Sequence, residues 1–203
     1  MTATNKGLKI IYEDNHLLVV LKEANILSQK DKTDDEDLLS ILKKYLKDKY
    51  QKPGEVFLGL VQRLDRRVGG LIVYAKTSKA ASRLSAQIRE HKFQKDYIAL
   101  VVGEIKETQG RLKNHLRKVE RGGKRFAEIS SSNKAGAKEA ILEYRLLKTV
   151  RIDNLCYSLL AINLVTGRYN QIRAQLAAFG HPIVNDFKYN YQGKNYQDEL
   201  ALF

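Results

Sequence analysis

Short apolar runs of strand length, set off by turn-forming residues, recur along this chain and confine it to a sheet-based fold. Lys9–Tyr12 and Leu17–Leu21 flank Glu13-Asp14-Asn15-His16 and predict a hairpin. Val56–Val61 and Leu71–Ala75 have strand composition, and Asp96–Val102 is a strong strand ending at Gly103. Ala140–Val150 and Leu155–Val165 make a further pair around the turn Arg151–Asn154. Helical spacing breaks this pattern in three places. Thr33 with Glu36 reads as a capping box, and Leu38, Leu39, Leu42, Tyr45 and Leu46 predict a helix over about 35–50, with Lys43, Lys44, Lys47 and Lys49 on its solvated side. Thr77 or Ser78 caps a helix running to about His91, with Ala81, Leu84 and Ile88 facing inward. Ile172, Leu176 and Ala177 predict a third, from about Tyr169 to a stop at Gly180, with Pro182 just beyond. Residues 108–136 are polar, contain Gly110, Gly122, Gly123 and Gly136, and carry the basic run Arg117, Lys118, Arg121, Lys124 and Arg125. They predict a loop or mobile hairpin, either a solvated insertion or an arm that grips phosphates. The whole predicts one α/β (α+β) domain over 1–203, with a central, mostly antiparallel mixed sheet and flanking helices.

Charge narrows the partners. Lys and Arg number 36 against 23 Asp and Glu, a net +13 that sustains a positive field and points to a polyanion. Nucleic acid fits better than an anionic membrane, because neither a basic amphipathic helix nor a lipidation signal is found. An acidic protein partner is the remaining alternative. The start lacks the apolar core of a signal peptide and no later run is long enough to span a bilayer, so a cytoplasmic protein is expected, and a monomer is the simplest state for so basic a chain. Cys156 is the only cysteine, which rules out an internal disulfide or a cysteine-based zinc site; its strand setting predicts a buried thiol. His16, His91, His115 and His181 lack metal-ligand spacing, and no metal is expected.

The candidate site centres on Arg63-Leu64-Asp65-Arg66-Arg67, followed by Gly69-Gly70. Neighbouring cations favour an ionised aspartate and glycines permit close approach, so Asp65 is a candidate nucleophile on a short connection between two strands. The same pentapeptide also describes a solvated turn with surface ion pairs.

Three separated segments resemble, in order and spacing, the signature regions of the RluA-like pseudouridine synthases: Val61–Lys76, containing Gln62-Arg-Leu-Asp65; Lys95–Gly103, containing Tyr97; and Thr166–Ala177, containing Gly167-Arg-Tyr-Asn-Gln-Ile-Arg173. Ile10–Asp14 with Leu17–Val20, and Gly180–Asp186 with Tyr189, are similar to that family too. The resemblance implies the pseudouridine synthase fold with a basic cleft, and an enzyme that isomerises uridine to pseudouridine in structured RNA, ribosomal or transfer, without a cofactor. It implies Asp65 as nucleophile at the cleft floor, Arg173 as the guanidinium that pairs with it, and Tyr97 lying against the target base. Arg63 would hold the place of a flipped nucleotide, while Arg66, Lys95, Arg168 and Asn170 would contact RNA. Departures accompany the match: Gln62 stands where relatives have histidine, Arg67-Val68-Gly69 where they have an acidic-Thr-Ser run, Asn170 where they have histidine, and Lys22-Glu-Ala-Asn25 where they have Lys-Pro-x-Gly. Those changes keep open a catalytically weak or silent RNA-binding or RNA-folding protein on the same scaffold. No separate N-terminal RNA-binding domain is expected.

Overall fold

The computed structural model describes residues 8–33, 35–195 and 199–203, and the chain divides into two compact units, Met1–Phe93 and Gln94–Phe203. The mostly antiparallel sheet expected from the sequence is present as two sheets, of four and five strands, in which every ladder is antiparallel.

In the first unit β1 (Lys9–Glu13) and β2 (Leu17–Lys22) form the expected hairpin. Asp14 closes it by accepting the N–H of His16 at 2.7 Å and of Leu17 at 2.6 Å. The chain continues through α1 (Leu38–Lys49), β3 (Gly59–Leu60), β4 (Gly70–Ala75) and α2 (Ser78–Arg89), and the strand order is β1-β2-β4-β3. Leu18 and Val20 of β2 alternate with Ile72 and Tyr74 of β4 on one face, and Leu38, Leu42 and Leu46 of α1 cover them at helical spacing.

Two expected boundaries move. The cap of α1 is Asp37, which accepts the N–H of Ser40 at 3.1 Å, while Thr33 turns back to Asp31 at 2.7 Å; the Thr33–Glu36 capping box is therefore not formed. A carboxylate three residues before an orphan N–H competes well with a hydroxyl further out. Of the strand expected over 56–61 only Gly59–Leu60 pairs, although Val56 and Leu58 still reach the core. Helix α2 starts as expected, with the Thr77 hydroxyl accepting from Ala80 N, and Ala81, Leu84 and Ile88 half-buried.

Glu13 ties this unit together. Its carboxylate accepts from Lys49 and Lys76, each at 2.8 Å, from Tyr50 at 2.7 Å and from Tyr45 at 3.1 Å, joining β1, α1 and the end of β4. Burial pushes its pKa up, but those donors outweigh burial and hold it at about 2, below the unfolded value of 4.5. A depressed carboxyl stabilises the fold above its unfolded pKa and loses that contribution as pH falls from 4.5 towards 2. Glu13→Gln should therefore cost about 2 kcal/mol at pH 7 and flatten the acid limb of the stability curve, measured by urea unfolding from pH 2 to pH 7.

The second unit runs β5 (Asp96–Val102), β6 (Gln109–Arg121), β7 (Lys124–Ser130), β8 (Lys138–Ile152), β9 (Leu155–Asn163) and α3 (Gln171–Ala178), then a 3-10 turn at Phe187–Tyr189, with strand order β5-β9-β8-β6-β7. The segment expected as a loop or mobile hairpin is a hairpin fully integrated in the sheet, because β6 pairs with β8 as well as β7. Gly122 and Gly123 make its two-residue turn at φ 54° and 70°. Asp153 and Asn154 turn β8 into β9 in the same left-handed region, at φ 50° and 62°. Cys156 on β9 is half-buried rather than buried. The outer side of β5 is taken by later chain: Ile98 N donates to Phe203 O at 2.7 Å, Leu100 N to Ala201 O at 2.9 Å and Val102 N to Pro182 O at 2.9 Å.

Helix α3 lies on the sheet face that carries Ala140, with Ala174 packed there beside Leu116, Ala127 and Tyr189. Gln175 spans neighbouring strands by donating to Leu112 O and Ala140 O, each at 3.2 Å, and to Asn114 Oδ1 at 2.8 Å. The helix ends near Gly180, φ 91°, as its sequence predicts. Among the described residues, no helix is long and apolar enough to cross a membrane, and no three His, Cys, Asp or Glu side chains gather as metal ligands would.

Candidate active site

Asp65 sits half-buried on the connection between β3 and β4, and the backbone around it is held from below. Ser28 clamps Leu64 at both ends, its hydroxyl donating to Leu64 O at 2.9 Å and accepting from Leu64 N at 3.2 Å. Asn25 N donates to Arg66 O at 2.7 Å, Val68 N closes a turn onto Asp65 O at 3.1 Å, and the Val68 side chain is buried. Gly70, at φ 144°, begins β4 opposite Lys22 in a conformation open to glycine. A carboxylate on a loop fixed at 64, 66 and 68 is preorganised.

Beneath this loop lies a residue the sequence reading left without a role. Lys22 is 1% exposed, and its ammonium donates to Glu23 O at 3.0 Å, Ile26 O at 2.8 Å and Arg66 O at 3.0 Å. Burial lowers its pKa to about 8, with the Asp65 carboxylate opposing that shift and the Arg66 cation adding to it. The signal was the two-residue period: Leu18, Val20 and Lys22 share the inward side of β2. Because the folded pKa lies below the unfolded 10.5, the unfolded chain binds more protons between pH 8 and 10.5, and stability rises with pH there. The difference in unfolding free energy between the native chain and Lys22→Met should therefore grow in favour of the native chain from pH 8 to pH 10, by at most about 1.4 kcal/mol per pH unit in denaturant titrations.

Arg63 is exposed on the same connection. Arg66 is also exposed, but its guanidinium reaches across to the preceding segment, Nη1 to Asp35 at 2.6 Å and Nε to Asn25 O at 3.2 Å.

The second unit carries the other candidates. Tyr97 lies on β5 in register with Ile162 of β9, itself opposite Tyr144 of β8, on the sheet face that α3 covers. Arg173, in the first turn of α3, is 7% exposed and forks onto the fully buried Asp186, Nε to Oδ2 and Nη2 to Oδ1 both at 2.7 Å. The Tyr189 ring lies 5.0 Å from the same guanidinium, and its hydroxyl accepts from Ala127 N at 2.8 Å and Asn170 Nδ2 at 3.2 Å. A bidentate pair and an aromatic face fix the plane of that guanidinium. Burial raises the Tyr189 pKa against the opposing pull of Ala127, Asn170 and Arg173, so the ring stays neutral. Asn170 is buried in the left-handed region, φ 47°, immediately before α3. The sequence places Asp186 and Tyr189 only within a segment similar to that of the family; their roles depend on Arg173, 13 and 16 positions away, which no local pattern reveals.

Arg168 and Lys95 meet beside Gly167. Arg168 donates from Nε to Glu139 O at 2.8 Å, and Lys95 Nζ lies 3.5 Å from where a Cβ on Gly167 would stand. Burial and the neighbouring Arg168 both push the Lys95 pKa down.

The first unit thus carries a carboxylate on a fixed loop, and the second carries a clamped guanidinium and two neighbouring cations, residue types that enzymes acting on anionic substrates use. Residues 16–178 match the RNA pseudouridylate synthase family, and the chain belongs to that family. It is 32% identical over 197 residues to an uncharacterized RNA pseudouridine synthase of Aquifex aeolicus, covering 97% of this chain and 60% of that one. It is 31% identical to the tRNA pseudouridine synthase C of Haemophilus ducreyi, covering 90% and 74%, and 31% identical to the ribosomal large subunit pseudouridine synthase D of Zymomonas mobilis, covering 92% and 57%. The resemblance to the RluA-like enzymes thus stands, although the chain spans about 60% of the length of the Aquifex relative. The human RNA pseudouridylate synthase domain containing 1 shares the fold, with a TM-score of 0.79 at 23% identity over 100% of this chain and 78% of that one.

Proposed function

We propose that this chain isomerises uridine to pseudouridine within RNA, its two units acting as one catalytic domain with Asp65 as the reacting carboxylate. The observation that carries the reading is an aspartate on a loop whose neighbouring backbone, at Leu64 and Arg66, is held by Ser28, Asn25 and Lys22, in a chain of this family. The reaction breaks the bond from uracil N1 to ribose C1′, rotates the base and joins C5 to C1′; the C5 proton leaves to solvent and N1 gains one, so no redox or group-transfer cofactor is needed. Asp65 attacks C1′ or takes a proton from C2′, and stabilises positive charge on the sugar. Tyr97 offers its ring to the extruded base, and its hydroxyl is available for the C5 proton. Arg173 supplies a fixed positive charge to the reaction, its orientation set by Asp186 and Tyr189. Arg63 fills the gap the base leaves, and Arg66, Lys95 and Arg168 serve the RNA backbone, of ribosomal or transfer RNA, while Asn170, expected among those contacts, is buried with its amide on the Tyr189 hydroxyl and supports that ring instead.

Release of tritium from cellular RNA labelled at uracil C5 tests the reading. The native chain should release it in proportion to uridines converted. RNA binding without release from any RNA fraction would overturn the isomerase and leave the RNA-binding or RNA-folding alternative.

A further inference from the structure

We propose that Lys95 and Arg168 hold a single phosphate, that of the nucleotide whose base lies on Tyr97; this rests on the role given to Tyr97 above and specifies which part of the substrate the second unit grips. Arg168 is aimed before any ligand arrives, its backbone N–H donating to Gln171 Oε1 at 3.0 Å and its Nε to Glu139 O at 2.8 Å. Lys95 is half-buried at the head of β5, tied to the end of β9 by Leu164 N donating to Lys95 O at 2.8 Å. That tie brings the Lys95 ammonium to the loop bearing Gly167 and Arg168.

Two cations thus share a partly dry corner, each in the other's field. Among the described residues neither forms a salt bridge with Asp or Glu, although this unit pairs many of its other cations: Arg111 with Glu143, Lys113 with Glu139, Arg121 with Glu128. Like charges drawn together and partly stripped of water are unfavourable alone and become favourable around an anion. A phosphate suits both, accepting from the guanidinium fork and meeting the ammonium as a point charge. The strand sets which phosphate this is. Lys95 immediately precedes β5 and stands two residues from Tyr97, a spacing of about 7 Å in extended chain, which suits a base and its own phosphate.

Titration of 5-fluorouridine and its 5′-monophosphate against the full chain, followed by fluorine resonance, tests the site apart from turnover. The monophosphate should bind at least ~10-fold more tightly, and inorganic phosphate should remove that advantage. Lys95→Gln and Arg168→Gln, with unfolding midpoints unchanged, should each bring the monophosphate close to the nucleoside, whereas Tyr97→Ala should weaken both ligands alike. Equal binding of the two ligands by the native chain, no response to either, or a preference that survives in the Lys95→Gln/Arg168→Gln double variant would overturn the site. A Tyr97→Ala chain with both affinities intact would overturn its assignment to the target nucleotide. A chain that prefers the monophosphate but releases no tritium from RNA refutes the isomerase and spares the phosphate site; tritium release with equal binding does the reverse.

Discussion

Asp65→Asn should abolish conversion, lowering tritium release by about 10⁴-fold or to background, while RNA affinity changes less than about threefold. Asparagine keeps the shape and polarity of the side chain, and the loop is held by backbone bonds at Leu64, Arg66 and Val68, none of which uses the carboxylate. In the mechanism proposed above, what disappears is the negative charge that attacks or deprotonates the sugar, and no amide supplies it. A factor of 10⁴ is about 5.5 kcal/mol of transition-state stabilisation, within the range for a reacting group. Single-turnover release from bulk cellular RNA measures it, with filter binding as the control. Residual turnover within tenfold of the native chain would move the chemistry to another residue.

Asp186→Ala should be the most damaging change to stability among the candidates. Arg173 is 7% exposed and sends Nε and Nη2 to a carboxylate with no exposure at all. Truncating that acid strands a buried guanidinium, at a cost of about 3–5 kcal/mol, which is a large part of the 5–15 kcal/mol that holds a typical domain folded. The unfolding midpoint should drop by roughly 6–20 °C. Asp186→Asn keeps one acceptor for Arg173 and should cost less, separating the two contributions of the pair. If the asparagine variant folds near its normal midpoint yet loses turnover with unchanged RNA affinity, Asp186 acts through the orientation of Arg173. An alanine variant within 1 kcal/mol of the native chain would mean that water replaces the acid.

The legible parts of this fold were those decided by local chemistry. Turn residues announced the β1–β2 and β8–β9 hairpins and the end of α3, and Thr77 announced α2. Legibility failed where neighbours compete or where partners are distant. Thr33 with Glu36 fits a capping box, but four acids in a row, 34–37, precede α1, and it is Asp37 that accepts from Ser40 N. The β6–β7 segment reads as a loop or a mobile hairpin because its charged alternation resembles solvated chain; its pairing with β8, some thirty residues on, makes the hairpin part of the sheet. Among the candidate residues, Asp65, Tyr97 and Arg173 are visible by resemblance, whereas Lys22, Asp186 and Tyr189 depend on contacts between segments distant in sequence. Sequence shows which side chains carry charge, but the cost of burying that charge and the group that offsets it come only from tertiary structure.

The occupied flank of β5 also bears on colloidal behaviour. A bare strand at the rim of a sheet recruits other chains, and here Phe203, Ala201 and Pro182 fill that rim from within. At the opposite rim β7 presents Lys124, Arg125 and Glu128, charges that oppose the addition of another strand. Both ends of the larger sheet are thereby guarded against the addition of a strand from another molecule.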